Sequence, residues 1–400
     1  MRFKVVTLVT AFAIACLGFA VYLGIFSVLT PSAKQVVSDL FAQADVQING
    51  KRPWDIQVHN ETFYSQLLRD GSLGFGESYV QGKWDCDQID ECVQRLYKAK
   101  LYDYASSSWP IIFSAVKAKL FNLQDKQGSL EVIDQHYQIG NDLYKLMLDP
   151  TLTYSCGYWK NCSDLQSAQE AKYDLICKKL HLKPGMKVLD IGCGWGGFAK
   201  HAAKNYGVKV VGITLSNNQA EYARTLTKDL PVEIRLMDYR DVNEHFDRVL
   251  EIGMFEHVGS KNYREFMEVV NRCLKENGLF MLHTIGANAT NLSTEPWIDK
   301  YIFPNGHIPS IAEIGISIEG LLVMEDWHNF GPYYDKTLMA WFDNFNNNWG
   351  QLSEKYGSSF YRMWKYYLLS CAGCFRSRDI QLWQVVFSKD GLPQGYTSIR

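Results

Sequence analysis

Hydrophobic positions are spaced in three different ways along this chain, and each spacing predicts a different kind of element. Residues 5–29 carry no charged side chain, and Arg2 and Lys4 stand just before them. As a helix at about 1.5 Å per residue the run reaches roughly 37 Å, longer than the ~30 Å hydrocarbon core of a bilayer, so residues 1–34 read as a membrane anchor. A cleaved secretory signal has an apolar stretch of only about 7 to 15 residues and a small-residue cleavage site, so the run is too long for one. From residue 35 to 125 the pattern is short and broken, as in a small α/β domain. Helical patches fall near 36–41 and 63–68, a strand-like piece at 55–59, and Gly71, Gly74, Gly76 and Gly82 read as turns. Residues 109–123 place Ile112, Phe113, Val116, Leu120 and Phe121 at helical spacing beside Lys117 and Lys119. That is an amphipathic helix whose apolar face meets either the core or a lipid surface. The polar run 124–129 reads as a linker.

Beyond it, from residue 126 to 400, strand-like and helix-like periods alternate. After an opening stretch at 136–157 and a helix over 167–182, strands are expected at 187–191, 209–214, 232–237, 248–252 and 279–284. The helices between them run to 206, over 217–228 behind a Ser216 cap, and over 263–275 with Gly278 as the stop. Two late strands, 321–328 and 381–388, complete the sheet, with helices near 334–349 and 354–371 between them. Such alternation predicts an α/β fold, a doubly wound parallel sheet with helices on both faces and ligands at the C-terminal strand ends.

Composition narrows the picture. With 47% hydrophobic residues the chain has ample material for a large core, and 400 residues suit two or three domains. The formal net charge of -2 provides no global field for nucleic acid, so no nucleic-acid partner is expected and attraction to lipid must come from a local patch. Ten cysteines are too dilute for a disulfide scaffold, and the CAGC sequence at 371–374 has no second pair to make a metal or redox site. Reduced thiols point to a cytosolic catalytic region.

The sharpest stretch is KVLDIGCGWGG at 187–197: a strand buried on both faces that runs into Gly192, Gly194, Gly196 and Gly197. Asp190 opens an Asp-x-Gly-x-Gly-x-Gly spacing, not the Gly-x-Gly-x-x-Gly that seats a pyrophosphate, so the pattern favours a nucleoside over a dinucleotide. No acidic residue ends the second strand, which leaves Thr214, Ser216 and Gln219 for the ribose. Asp238 and Tyr239, at the end of the third, are assigned to adenine: Tyr239 by stacking, Asp238 by accepting from the amino group. Tyr154-Ser155-Cys156, Glu256-His257, His283-Thr284-Ile285 and Cys371 also fall at strand ends or loop edges. They match no zinc spacing and no nucleophile-with-base pair, so no metal is expected.

The glycine turn resembles that of class I S-adenosylmethionine-dependent methyltransferases. YSCGYW, SAQEAK, VLDIGCGWGGFA, VVGITLS, GMFEHVG, FMLHTIG, KYIFPNGHIPS, EDWHNFG, YDKTLMAW and FRSRDIQLWQVVF, in this order, resemble the cyclopropane fatty acid synthases over nearly everything after residue 44. The branch acting on phospholipids, which has a domain ahead of the methyltransferase fold, is more similar than the mycolic acid branch, which lacks it. The resemblance implies a class I methyltransferase domain and transfer of a methylene from S-adenosylmethionine to the cis double bond of an unsaturated phospholipid acyl chain. It implies Tyr154 and Ser155 as further cofactor contacts and a bound bicarbonate as base, caged by Cys156, Glu256, His283, Ile285 through its backbone, Tyr334 and Cys371. Glu256 would accept from bicarbonate and orient it, while His283 and Tyr334 donate. At the adenine the mycolic branch has an aromatic-acidic pair; here Tyr239-Arg240 stands, so the acidic partner does not carry over.

The basic residues before the anchor lean towards an external enzyme, but S-adenosylmethionine is cytosolic, so the expected placement is a membrane-anchored protein with its catalytic domain on the cytoplasmic face. A homodimer is compatible with the residues, which do not fix an oligomeric state. Two other readings stay open: a related lipid C-methyltransferase, or another methyltransferase, that makes no ring, and a non-catalytic lipid-binding relative.

Overall fold

The computed structural model describes residues 32–101, 140–291 and 294–400. The expected anchor at 5–29, the amphipathic helix at 109–123 and the linker at 124–129 lie outside them. Among the described residues, no helix is long and apolar enough to cross a membrane.

Helix α1 (Ala33–Gln43) starts at Ser32, whose hydroxyl accepts from the Gln35 N–H, and buries Val37 and Phe41. Strand β1 (Gln57–Val58) pairs antiparallel with β2 (Trp84–Asp85) across α2 (Thr62–Val80), and α3 (Ile89–Lys98) follows. Helix α2 corrects the turns expected at Gly74 and Gly76, which are helical; Gly71, at φ 59°, is where the helix kinks. Tertiary packing explains Gly76, where a Cβ would stand 2.4 Å from the Trp297 ring, while one on Gly74 would stand 2.5 Å from the Gln66 carbonyl oxygen of the same helix.

The second part runs α4 (Asn141–Met147), α5 (Leu165–Lys179), β3 (Lys187–Ile191), α6 (Gly197–Tyr206), β4 (Lys209–Thr214), α7 (Asn217–Leu226), β5 (Val232–Leu236) and β6 (Phe246–Ile252). It continues with α8 (Tyr263–Cys273), β7 (Leu274–Ala287), α9 (Pro296–Tyr301), α10 (Ile311–Ile318), β8 (Val323–Asn329), α11 (Pro332–Asn347), α12 (Trp349–Ser377) and β9 (Ile380–Ser388). The helix expected over 263–275 ends two residues early, because Leu274 pairs with Phe246 and begins β7 ahead of Gly278.

The seven strands lie in the order β5-β4-β3-β6-β7-β9-β8. Neighbours from β5 to β7 are parallel, but β9 is antiparallel to both β7 and β8, so the sheet is mixed rather than parallel throughout. One crossover helix carries a chain back to the starting end of a sheet. Two helices packed on each other, α11 and α12, lie between β8 and β9 and return it to the end it left. Order reverses at β3, whose neighbours β4 and β6 lead to opposite edges, and the crevice opens at its C-terminal end.

One apolar core joins the N-terminal elements to α11 and α12, with Phe63, Trp84, Trp297, Trp341 and Trp364 fully enclosed. Arg376 on α12 fixes the seam. Its guanidinium donates to both oxygens of Asp335, at 2.8 and 2.9 Å, and stands 2.7 Å from Asp90 on α3.

Candidate functional site

The cleft at the end of β3 is built by local geometry that side chains larger than hydrogen resist. Gly192 has φ 77° and Gly194 φ 53°, a left-handed backbone. A Cβ on Gly194 would project into open space, while one on Gly192 would press on Met254 at 2.9 Å. Asp190, just before the turn, is buried with Oδ2 unpartnered. Burial pushes its carboxyl up to about 7 against the pull of Lys172.

Tyr154, Ser155, Asp190, Gly192, Gly194, Thr214, Gln219, Asp238 and Tyr239 all line this cleft. Gly196 and Ser216 do not border it but hold the elements that do. Gly196, at φ 84°, packs against Ala223 and starts α6, whereas the Ser216 hydroxyl accepts from the Gln219 N–H and caps α7. The residues expected at the adenine are held by Arg240. Each Asp238 oxygen accepts one hydrogen bond from Arg240, from its N–H and its guanidinium at 2.9 Å each, which fixes the carboxylate and leaves each oxygen a further lone pair. The Arg240 guanidinium also lies 4.7 Å from the Tyr239 ring centre, and Phe266 meets that ring edge-on.

Residues that periodicity could not single out complete the walls, among them Trp195, Met254 and His257. His257 carries an unpartnered Nδ1, and burial depresses its pKa to about 4, so the ring is neutral. Behind Ser155 lies Lys172, fully buried, with Nζ donating to the Ser155 hydroxyl oxygen at 2.7 Å. Burial lowers this amine to about 7. The hydroxyl therefore accepts from within the protein and keeps its own proton for the cleft.

A second group of side chains shares a wall with the first. Ser155 and His257 face the cleft, and their chain neighbours Cys156 and Glu256 lie on the other side. Glu256 Oε1 accepts from the Ile285 N–H at 2.6 Å, and Oε2 is buried with no partner. Burial raises the Glu256 carboxyl to about 7. His283 on β7 is 1% exposed; its Nδ1 meets Gln384 Nε2 at 3.2 Å, and Nε2 has no partner. Tyr334 stacks on Phe375 with ring centres 4.4 Å apart and feels the electrostatics of Cys156, Glu256 and Cys371. Burial pushes the Cys156 thiol up and the Cys371 thiol to about 12, so both are neutral. Cys156, Ile285 and Tyr334 belong to one apolar cluster.

The structure brings the expected six residues together. Ile285 contributes through its backbone: its N–H donates to Glu256 and holds that carboxyl in place. Glu251, which the sequence reading passed over, plays a similar part from β6. It is fully buried, and its carboxylate accepts from the N–H groups of Met254, Phe255 and His283 at 2.8, 3.1 and 3.0 Å. The loop that carries Glu256 and the strand that carries His283 are thereby tied to one side chain.

Known proteins resemble the chain over the same parts. Residues 124–385 match the mycolic acid cyclopropane synthetase family. A cyclopropane-fatty-acyl-phospholipid synthase of Escherichia coli (strain K12) is 51% identical over 355 residues, 89% of this chain and 93% of that protein. A solved cyclopropane synthase from Mycobacterium tuberculosis covers 65% of this chain and 98% of its own, with a TM-score of 0.61 and 32% identity. A mycolic acid cyclopropane synthase complexed with SAH and CTAB superimposes with the same TM-score of 0.61 at 33% identity, over 65% of this chain and 98% of its own.

Proposed function

We infer the function from a premise the comparisons establish: this chain belongs to the mycolic acid cyclopropane synthetase family. It is an S-adenosylmethionine-dependent enzyme that converts the double bond of unsaturated acyl chains to a cyclopropane. The observation that carries the site assignment is a glycine-walled nucleoside cleft that shares consecutive residues with a cage holding two orphaned polar atoms, His283 Nε2 and Glu256 Oε2.

The cleft residues fit S-adenosylmethionine: small residues where the backbone must come close, an unpartnered Asp190 oxygen, and hydroxyl and amide groups at Thr214 and Gln219. When bound there, the cofactor supplies an electrophilic methyl on a sulfonium. Ser155, fixed by Lys172, orients it from one wall. An alkene is a weak nucleophile, so the protein's part is alignment and the exclusion of water. The rings of Tyr154, Trp341, Phe303 and Tyr367 supply the apolar enclosure, with Tyr154 5.0 Å from Trp341 and its hydroxyl 2.7 Å from that of Tyr367. Aromatic faces also suit the positive charge that methyl transfer leaves on the acyl chain.

The cage fits a small oxyanion such as bicarbonate, which when bound supplies the base for ring closure. A neutral His283 donates from Nε2, Tyr334 donates its hydroxyl proton, and Glu256 accepts, so a singly protonated anion meets one acceptor and two donors. Cys156 and Cys371 close the cage as neutral thiols. Lipid mass spectrometry of cells expressing the chain tests the reading. Unsaturated phospholipid chains should gain one methylene and lose their double bond, whereas a gain without loss of unsaturation, or no gain, would replace it with a methyl-branching enzyme or a binding protein.

The uncharged run 5–29 supports a tether on this catalytic body, with the active site on the cytoplasmic face where the cofactor is made. Helix α1 already closes part of the core with Val37 and Phe41. Deleting residues 1–30 is therefore expected to leave a folded enzyme with reduced activity on phospholipid vesicles, partly restored as lipid concentration rises, because a tether acts through effective concentration. An inactive truncate at every lipid level would make the segment part of the fold.

A further inference from the structure

The His283 side chain does not stand alone. In the register of the sheet, Gln384 on β9 lies directly opposite His283 on β7 and directly opposite His328 on β8. Residues that pair across strands point to the same face, so the three side chains form one transverse row. Gln384 is fully buried, and its Nε2 lies 3.2 Å from His283 Nδ1. At the far end of the row, Lys179 Nζ lies 3.1 Å from His328 Nδ1.

An amide nitrogen only donates, so the ring atom it meets must be the acceptor. The reversed amide would bring the Gln384 carbonyl to His283 and strand a buried NH2 group. In the orientation found here Nε2 meets the ring and the carbonyl Oε1 has no partner. The ring is also neutral, since burial and the charges of Lys172 and Lys179 all disfavour a second proton on it. A neutral imidazole whose Nδ1 accepts carries its proton on Nε2, the atom that is buried and unpartnered beside the cage.

We propose that Gln384 is a positioning residue that holds His283 in the Nε2–H tautomer, so that the ring presents a hydrogen-bond donor, not a base, to a small oxyanion in the cage. The nature of that occupant rests on the function proposed above; the tautomer does not. Gln384 touches neither cofactor nor substrate in this arrangement. It acts only through His283.

The test is a long-range proton–nitrogen NMR spectrum of the full chain labelled with [15N]histidine, at neutral pH, with His283 assigned by the signals missing from His283→Asn. Wild type should show Nδ1 unprotonated and Nε2 protonated. In Gln384→Met, which keeps the length but removes the donor, the His283 signals should shift towards a tautomer mixture. The apparent KM for added bicarbonate should rise about tenfold, the scale of one lost hydrogen bond, with S-adenosylhomocysteine affinity unchanged. An Nδ1–H tautomer or an imidazolium in wild type overturns the proposal, as does a Gln384→Met protein whose His283 signals and bicarbonate dependence stay those of wild type. If the Met variant does not fold, the wild-type spectrum still decides. A wild-type protein with the Nε2–H signature but no cyclopropane product would remove the proposed function and leave the tautomer assignment standing.

Discussion

Glu256→Gln lowers turnover by about a hundredfold or more while cofactor affinity stays within a few-fold of wild type, the scale of disabling a general-base arrangement. The amide keeps an oxygen for the Ile285 N–H but replaces the unpartnered Oε2 with a donor, so the acceptor proposed for the cage is lost. An oxyanion still carrying its proton then has no acceptor to orient it. The pH profile gives a second readout. Burial raises the Glu256 carboxyl to about 7, so the acceptor form is lost, and wild-type activity falls, as pH drops through that value. The Gln variant lacks this limb. Stability should move the other way: a carboxyl with a folded pKa above its usual 4.5 disfavours the native state as pH rises from about 4.5 to 7. At pH 8 the variant should melt no lower than wild type. Turnover within a few-fold of wild type would remove Glu256 from the cage.

Gly194→Val abolishes cofactor binding. Gly194 has φ 53°, and its missing Cβ points into the cleft with nothing within 4 Å. A branched side chain there fills the space that the methionine end of the cofactor needs. It also places a β-branched residue in the left-handed region, which costs roughly 1–2 kcal/mol. Titration calorimetry with S-adenosylhomocysteine should show the affinity reduced beyond detection, with a melting temperature a few degrees lower. An unchanged affinity would move the cofactor off this turn.

These two experiments address features that differ in how far the sequence announces them. The turn at Gly194 is written locally. A buried apolar run followed by alternating glycines has few other backbone solutions, so β3 and β4 begin and end where periodicity places them, at Lys187–Ile191 and Lys209–Thr214, with Ser216 as the cap that follows. The resemblance added the cage residues, which periodicity alone left as scattered strand-end side chains. Local reading failed where a distant partner decides. Gly76 looks like a turn former, yet lies in a helix where Trp297, over two hundred positions away, occupies the space a side chain would need. The direction of β9 depends on a pair of helices that return the chain to the end of the sheet it left. Buried Lys172, Lys179 and Glu251 look like surface residues in the sequence, since only the folded chain supplies Ser155, His328 and three backbone N–H groups as their partners. Gln384 is the extreme case. In sequence it is a polar residue within an apolar strand, 101 positions from His283, and only the register of β7 against β9 brings its amide to the imidazole. Turn chemistry and strand periodicity are short-range and so can be read from neighbouring residues. Protonation states and hydrogen-bond roles arise from burial and long-range pairing, which come into existence only when the sheet closes.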